Sequence, residues 1–271
     1  MKSKTNRMKA EGNIKKMAVE LANPIQYFFR FSDQKIPAND FLGRNIQLEF
    51  THQINCINCG RKTPKSFSQG FCYPCFANSP ENSDCIIHPE LCRGHLGEGR
   101  DPAWELEHHV QPHVVYLALS SGVKVGVTRS TQVPNRWIDQ GASAAIELAR
   151  TNNRYEAGVI EVELKKYMND KTNWQKMLKG EVGGFSLEAE KEKIKGLIPE
   201  ELQSLYTENQ MITELNYPVL KYPTKIVSVN FDKTDVIEGV LSGIKGQYLI
   251  FDDGRVLNMR NFGGYYVIFS A

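Results

Sequence analysis

The 271-residue chain lacks several features that would assign it to a class at once. It has no run of about 18 apolar residues, the length that a membrane-spanning helix needs. Its start lacks the apolar core of a secretory signal, so export is not expected. The formal net charge of +2 is too small to identify a partner. We therefore expect a cytoplasmic protein, with no membrane contact and no protein partner indicated.

Cysteine and histidine are absent from most of the chain. All six cysteines lie between Cys56 and Cys92, and all six histidines lie between His52 and His113. A disulfide framework usually serves a small secreted domain. Clustering of this kind, with CxxC spacing and no signal, instead favours metal binding in a reducing compartment.

The first cysteine group has the spacing C-x2-C-x12-C-x2-C. Two tight turns would each direct two thiolates at one ion, which predicts a tetrahedral Zn2+ site with a structural role, because no position is left for a reacting water. Gly60 suits the first turn because it tolerates positive φ. Buried or redox-active thiols are the alternative. Arg61, Lys62 and Lys65 beside the site are candidates for phosphate contacts. The predicted ligands are Cys56, Cys59, Cys72 and Cys75.

A second group follows with the spacing C-x2-H-x3-C-x2-H. Two cysteines and two histidines satisfy zinc chemically, so the sequence predicts a second zinc ion. The group spans few residues, and His108 or His109 could replace one of the nearer ligands. Surface or hydrogen-bonded histidines are the alternative. The predicted ligands are Cys85, His88, Cys92 and His95.

The centre of the chain reads as a hairpin followed by helices. Two apolar runs, Val114–Leu119 and Val123–Val127, flank a Ser-Ser-Gly gap of the kind found in hairpin turns. Farther on, the apolar spacing across 157–167 fits a helix better than a strand.

Longer motifs identify a resemblance that covers nearly the whole chain. They are KSF-x-QG-x-CYPC (65–75), PELC (89–92), HVVYLALSSGVKVGVTR (113–129), RWIDQGA (136–142), DKTNW (170–174) and GIKGQYLIFDDG (243–254). This combination resembles an uncharacterised bacterial family, domain of unknown function 2797, which brings no established activity. Relatives have cysteines near Gly99 and near His109, so the resemblance makes His109 a candidate substitute for a cysteine ligand.

A looser resemblance, over about 113–175, is to the GIY-YIG nuclease superfamily. That family combines a first-strand tyrosine, a second-strand tyrosine-x-glycine, an arginine on the next helix and a helical glutamate. Lys124-Val125-Gly126 matches the second motif at its glycine, so Lys124 stands where the family has its tyrosine. The site residues that the resemblance implies are Tyr116, Lys124, Arg136 and Glu161.

The chemistry of phosphodiester hydrolysis accounts for these residue types. A carboxylate such as Glu161 suits Mg2+ or Mn2+, and a guanidinium neutralises charge on phosphate. Tyr116 could orient or deprotonate water, and Lys124 could bind phosphate or act as a base. The alternatives are strand packing for Tyr116, a surface ion pair for Arg136 and an ordinary helical pair between Glu161 and Lys165.

The remaining sequence predicts helices and then strands. Apolar spacing across Leu187–Ile212 predicts two amphipathic helices, divided at Pro199. From Lys225 onward, five short strand patterns separated by Gly and Asp-Asp-Gly turns predict a small barrel of the SH3-like or OB-like kind. Candidates for nucleic-acid contact on this barrel are Arg255, Arg260, Tyr265 and Tyr266, with core packing as the alternative for the tyrosines.

Together these features predict an α+β fold in five parts. They are an N-terminal β unit (1–54), a zinc-binding region with a zinc ribbon (55–112), a GIY-YIG-like hairpin and helix domain (113–178), a helical bridge (179–222) and a small β-barrel (223–271). The leading hypothesis is a zinc-stabilised nucleic-acid-binding protein with a GIY-YIG-like, degenerate phosphodiester site. Two alternatives stay open: an active divalent-metal-dependent endonuclease, and a structural or protein-binding scaffold without catalysis.

Overall fold

A computed structural model describes residues 8–168 and 172–271, which form two compact units. The first unit combines the described part of Met1–Ala77 with Asn216–Ala271, and the second is Asn78–Leu215. The five consecutive segments expected from the sequence are thus grouped differently, since both ends of the chain build one unit. The mixed α+β class is confirmed. Asp170 and Lys171 of the DKTNW motif lie outside the described residues.

The regular elements are mostly short. The strands are β1 (Lys9–Asn13), β2 (Ala18–Glu20), β3 (Gln26–Phe31), β4 (Gln34–Pro37), β5 (Asn45–Ile54), β6 (His113–Leu119), β7 (Val123–Arg129), β8 (Ala144–Thr151), β9 (Ile212–Glu214), β10 (Val227–Ser228), β11 (Val236–Lys245), β12 (Tyr248–Phe251), β13 (Arg255–Asn258) and β14 (Tyr265–Ser270). The α-helices are α1 (Tyr73–Asn78), α2 (Pro102–His108), α3 (Asn135–Asp139), α4 (Arg154–Leu164), α5 (Trp174–Leu178) and α6 (Leu187–Ile194). Among the described residues, no helix has the length and apolar character needed to cross a bilayer.

A seven-stranded sheet forms the body of the first unit, in the order β1-β14-β5-β11-β12-β13-β10. The first strand pairs antiparallel with the last, so that Lys9 lies opposite Ser270. Strand β5 lies between β14 and β11, and its buried Ile46 and Leu48 alternate with more exposed neighbours, as expected for a half-buried strand. Strands from both ends of the chain therefore belong to one sheet, while the predicted strands around 17–31 lie in the separate sheet β2-β3-β4.

Aromatic rings from distant parts of the chain fill the core of this unit. Phe269 of β14 lies 5.2 Å from Phe29 and 5.2 Å from Phe41, measured between ring centroids. These contacts attach the small sheet β2-β3-β4 to the large one, because Phe29 lies on β3. All five strand segments predicted after Lys225 contain strands, β10 to β14.

The second unit is built on a four-stranded antiparallel sheet in the order β7-β6-β8-β9. Strands β6 and β7 form the predicted hairpin, with Tyr116 opposite Gly126. Strand β8, which the sequence did not predict, pairs with the other side of β6. The buried core that joins α4 and α6 to this sheet consists of Val115, Leu117, Val125, Ile146, Leu148, Ala149, Ala157, Ile160, Leu164, Leu187, Ile194 and Ile198.

The segment predicted as two amphipathic helices contains only one α-helix. Helix α6 begins after Ser186, whose hydroxyl accepts a hydrogen bond from the Ala189 N–H at 3.1 Å. Beyond it, Glu200–Leu205 is a 3-10 helix, and Ile212 begins the edge strand β9 instead of ending a helix. Pro199 adopts an extended conformation, with φ −50° and ψ 138° and no side-chain cap, so the chain does not enter a second α-helix there.

Lys245, the last residue of β11, is a buried cation in the first unit. Its side chain is 2% exposed. Its Nζ lies 5.1 Å from the centroid of the Tyr217 ring and 5.4 Å from that of Tyr222, so the ammonium faces aromatic rings. Burial lowers the pKa of Lys245 from 10.5 to about 8.

This burial predicts a pH-dependent effect of Lys245→Met. The folded-state pKa lies below the unfolded one, so the parent loses stability as the pH falls from about 10.5 through about 8. At pH 7 we expect Lys245→Met to raise the free energy of unfolding by about 1–3 kcal/mol, the cost of burial less the cation–π attraction. Urea unfolding at pH 7 and pH 10 measures this difference. The gain should shrink at pH 10, and exposed Lys225→Met should show no such gain; equal gains at both pH values contradict the prediction.

Candidate functional site

The four cysteines of the first predicted zinc site lie on two tight turns of the first unit. The carbonyl of Cys56 accepts a hydrogen bond from the Gly60 N–H at 2.9 Å. Gly60 has a φ of +72°, as expected from its place in the turn. In the second turn the carbonyl of Cys72 accepts from the Phe76 N–H at 2.9 Å, which starts helix α1.

The geometry of this first cluster fits a tetrahedral ion. The four sulfurs of Cys56, Cys59, Cys72 and Cys75 lie within 4.8 Å of one another. Cys59 Sγ and Cys72 Sγ are 3.8 Å apart. Sulfurs at about 2.3 Å from a tetrahedral Zn2+ would be about 3.8 Å apart. All six cysteines of the chain are free thiols, so no disulfide competes for these sulfurs.

The protonation of the four thiols favours binding of a cation by this cluster. The backbone N–H of Arg61 lowers the pKa of Cys59 to about 6, and Arg61 Nε also donates to Cys59 Sγ at 3.2 Å. Burial raises the pKa of Cys75 to about 12. The thiols therefore do not ionise together by themselves, whereas a bound metal ion deprotonates its thiol ligands outright. The four-cysteine cluster can hold zinc.

A second cluster lies in the second unit and has a mixed donor set. His109 Nδ1 is 3.8 Å from Cys85 Sγ and 3.6 Å from Cys92 Sγ. Sulfur and nitrogen ligands of a tetrahedral Zn2+ would be about 3.5 Å apart. Glu105 Oε2 also contacts His109 Nδ1. The ligand atoms of Cys85, Cys92, Glu105 and His109 all lie within 4.8 Å of one another, and all four residues are buried.

Helix α2 and the residue that caps its C-terminal end supply two of these donors. Asp101 caps the helix, with Oδ1 accepting from the N–H groups of Ala103 and Trp104 at 3.1 Å. Glu105 and His109 are four residues apart and therefore face the same way. The backbone of Gly99 packs closely against the Glu105 carboxylate, since a Cβ at Gly99 would lie 2.9 Å from Glu105 Oε1.

The structure corrects the predicted histidine ligands of this site. His88 is largely exposed and lies 3.4 Å from Glu90 Oε1, while His95 stacks on Tyr155 with ring centroids 4.7 Å apart. Neither belongs to the second cluster. His109, which spacing and family resemblance made an alternative, takes part, and Glu105 was missed. The signal for Glu105 was its position four residues before His109 on a helix.

The protonation of this cluster also favours a metal ion. Hydrogen bonding from the Cys92 thiol lowers the pKa of Cys85 to about 4. The same contact raises the pKa of Cys92, and burial raises that of Glu105. One thiolate, a buried thiol, a buried carboxyl and an imidazole thus face a shared point. A divalent cation there would satisfy all four donors, so this set also fits zinc.

Tyr116, the first residue of the predicted phosphodiester site, is fully enclosed. Its ring packs against Trp137 at 5.8 Å between centroids, and its hydroxyl donates to Gln140 Oε1 at 3.0 Å. Gly126 lies opposite on β7, where a Cβ would be 2.7 Å from the tyrosine hydroxyl. Burial raises the pKa of Tyr116, and the charge and hydrogen bond of Arg136 oppose this rise.

Glu161 lies on α4 and is also buried. Its carboxylate is 3.3 Å from Lys165 Nζ, one helical turn on. Burial raises the pKa of Glu161, and Lys165 partly opposes it. Arg136 contributes a hydrogen bond and a charge to the surroundings of the Tyr116 hydroxyl, and the charge of Glu161 also acts on that tyrosine. Lys124 is buried opposite Ala118, two residues along the hairpin from the Tyr116–Gly126 pair.

Arg154, at the start of α4, joins the second cluster to this group. Its Nε donates to the Cys85 carbonyl at 2.8 Å and its Nη2 to the Ile86 carbonyl at 2.9 Å. Its charge also acts on Glu161 and on Arg136. The backbone next to a cluster ligand therefore helps to position the helix that carries Glu161.

The loop between Cys85 and Cys92 packs directly on α4 at Gly158. A Cβ on Gly158 would lie 2.2 Å from the Glu90 nitrogen and 2.3 Å from the Pro89 carbonyl carbon. The 3-10 turn Pro89–Leu91 therefore rests on the helix where no side chain is present. Glu90 adds negative charge there, which contributes to the raised pKa of Glu161.

Comparison with known proteins gives a family but no characterised relative. A protein-family model described as a protein of unknown function (DUF2797) matches residues 43–267. No curated protein and no solved structure matches the chain.

The two clusters predict the zinc content of the purified protein. We expect two zinc ions per chain, one for each donor set. Cys59→Ser and His109→Ala should each retain one ion, because each removes a donor from a different site. His88→Ala and His95→Ala are matched controls that should retain both. Elemental analysis of each variant measures the ratio. Loss of an ion from a control, or retention of both ions by His109→Ala, would contradict the assigned donors.

Packing at Gly158 predicts an unusual sign for a helix substitution. Glycine to alanine inside a helix ordinarily stabilises a protein by about 0.5–1 kcal/mol. Gly158→Ala should instead destabilise by about 1–3 kcal/mol, because the new methyl group meets backbone atoms that have to shift. Gly196→Ala is the control, since a Cβ there meets nothing within 4 Å. Urea unfolding of both variants tests this, and a Gly158→Ala variant as stable as the parent would refute it.

Proposed function

The chain belongs to the DUF2797 family of proteins of unknown function, and we propose that it is a zinc-stabilised nucleic-acid-binding protein. In this proposal the second unit has a GIY-YIG-like framework with a degenerate phosphodiester site. The two zinc ions have structural roles, and the C-terminal strands form a small barrel of the SH3-like or OB-like kind.

The observation that carries the proposal is the grouping of Tyr116, Arg136 and Glu161. They come from strand β6, helix α3 and helix α4, the element types that the resemblance to GIY-YIG nucleases implies for them. The charges of Arg136 and Glu161 both act on the Tyr116 hydroxyl. A guanidinium beside a tyrosine is suited to contact a phosphate group. Arg136 is partly exposed, so we assign it the phosphate contact.

Binding is favoured over cleavage by the surroundings of the other residues. The Tyr116 hydroxyl is enclosed and donates to Gln140, and Lys124 replaces the second tyrosine. Glu161 does not fit Mg2+ or Mn2+ well, because burial raises its pKa and Lys165 lies 3.3 Å from its carboxylate. We therefore propose a framework that retains a phosphate contact without hydrolysis.

Binding measurements across a salt series test this function. We expect the full chain to bind DNA or RNA oligonucleotides at low salt, with the logarithm of the association constant falling linearly with the logarithm of salt concentration. Arg136→Gln should weaken binding about ten-fold, as expected for loss of a charge-assisted contact. Arg150→Gln, which removes an exposed arginine paired with Glu147, is the matched control. Fluorescence anisotropy measures both variants.

A cleavage assay separates the proposal from the nuclease alternative. With Mg2+ or Mn2+ added, neither the parent nor Glu161→Gln should cut labelled DNA or RNA. Cleavage by the parent that Glu161→Gln abolishes would replace the binding proposal with an active nuclease. Absence of binding to any oligonucleotide at low salt would refute both and leave a scaffold.

A further inference from the structure

Three aromatic rings lie close to the four-cysteine cluster of the first unit in sequence, two of them exposed and one half-buried. Phe67 stacks on Phe76, with ring centroids 5.8 Å apart and ring planes inclined by 24°. Phe67 also meets Tyr73 edge-on at 5.5 Å. Tyr73 is 62% exposed and Phe76 is 38% exposed, although both are large rings that are usually buried at least in part. We refer to Phe67, Tyr73 and Phe76 as the knuckle rings.

The local structure holds these rings in fixed positions. Tyr73 and Phe76 are three residues apart on α1 and therefore face the same side of the helix. The neighbouring Cys72 and Cys75 belong to the metal-ligand set. Phe67 is fixed by a β-bridge to Phe71 across the intervening turn. The rings are thus presented by a rigid scaffold, which lowers the entropy cost of binding.

The sequence around the rings carries basic residues and no acidic ones. The sequence from 50 to 80 contains no aspartate or glutamate and includes Arg61, Lys62 and Lys65. Arg61 donates to the Cys59 sulfur and so helps to neutralise the cluster itself. Lys62 and Lys65 are exposed, and Lys65 Nζ lies 5.3 Å from the centroid of Phe67. Exposed lysines beside exposed rings can bind phosphates and bases together.

We propose that the knuckle rings bind single-stranded nucleic acid, with bases stacked on Tyr73 and Phe76 and phosphates held by Lys62 and Lys65. This inference rests on the proposed nucleic-acid-binding function and assigns it a surface in the first unit. Bases are available for stacking on a side chain when they are unpaired, so a single strand is the ligand that these rings fit. The absence of aspartate and glutamate from residues 50–80 favours a polyanion.

Two of the four residues predicted for nucleic-acid contact on the C-terminal strands offer a poorer surface. Tyr265 is buried and its hydroxyl donates to Asp232 Oδ1 at 2.9 Å. Arg255 Nε donates to Asp253 Oδ2 at 2.6 Å. An arginine held by a carboxylate and an enclosed ring are not arranged for a phosphate and a base. The aromatic and basic groups are combined on the exposed side of the cysteine cluster instead.

The stacking contact is tested with a Tyr73→Ala/Phe76→Ala double variant of the full chain. Labelled single strands and the matching duplex, both as DNA and as RNA, serve as probes in fluorescence anisotropy. We expect single-strand affinity to fall at least ten-fold, because each stacked base contributes through its ring. Tyr167→Ala removes a tyrosine that is 60% exposed in the second unit and should bind like the parent. Zinc content and thermal unfolding verify that the double variant stays folded.

The phosphate contacts are tested separately with Lys62→Gln/Lys65→Gln. Removing two contacts to a single strand should reduce the slope of log K against log salt by about 1.4. Lys221→Gln/Lys225→Gln, outside the segment, removes the same number of exposed lysines and should leave the slope unchanged. This readout reports phosphate contacts directly and does not depend on ring stacking.

The outcomes distinguish the two proposals. A parent that binds oligonucleotides while both double variants bind equally well would overturn the knuckle-ring surface and leave the proposed function standing. A parent that binds no nucleic acid at low salt would overturn both. Selective loss of single-strand binding in the ring variant, with a lower salt slope in the lysine variant, is the result that supports the inference.

Discussion

Each unit of this protein holds cysteine side chains so close together that they repel one another as thiolates unless a cation lies between them. In the first cluster the backbone N–H of Arg61 lowers the pKa of Cys59 to about 6 and burial raises that of Cys75 to about 12, and hydrogen bonds among the thiols widen this difference. A metal ion removes that conflict. Because such sites do not exist in an unfolded chain, metal binding adds its free energy to folding.

The local order that a metal would impose extends to other parts of each unit. In the second unit Cys85 and Cys92 bracket the loop whose carbonyls accept from Arg154 and whose Pro89–Leu91 turn rests on Gly158. Helix α4 and its Glu161 are therefore positioned partly from a cluster that contains none of the predicted phosphodiester residues. In the first unit Tyr73 lies between the ligands Cys72 and Cys75 in the sequence, so a metal bound to these cysteines would also help to position the tyrosine ring. Structural metal sites of this type determine how nearby side chains are presented, without reacting themselves.

The sequence predicted those parts of the structure whose interacting residues lie close together along the chain. The four-cysteine site, the β6–β7 hairpin and α4 depend on residues close in sequence, and their spacing was informative. Strand β8 was missed because its residues, rich in alanine with glutamate and arginine, carry little strand preference, and sheet pairing overrides that preference. The pairing of β1 with β14 joins the two ends of the chain, and no local pattern encodes it. Glu105 belongs to the donor set, although the predicted histidines lie nearer to the cysteines in the sequence. Helix α2 brings Glu105 to the cluster across the intervening loop.

The resemblance to a nuclease motif at Tyr116 and Gly126 has a packing explanation that involves no catalysis. The two residues lie opposite each other on the hairpin, and a Cβ at Gly126 would lie 2.7 Å from the Tyr116 hydroxyl. A large ring at one position therefore requires glycine at the other, so their joint presence is one steric constraint and not two independent signs of chemistry. The ring also needs its hydroxyl satisfied, and Gln140 accepts that hydrogen bond. The proposed phosphate contact then depends on Arg136 and Glu161, and of these Arg136 is the more exposed. Within the proposed function, a tyrosine committed to packing and a carboxylate beside a lysine are the reasons for assigning this site a phosphate contact without hydrolysis.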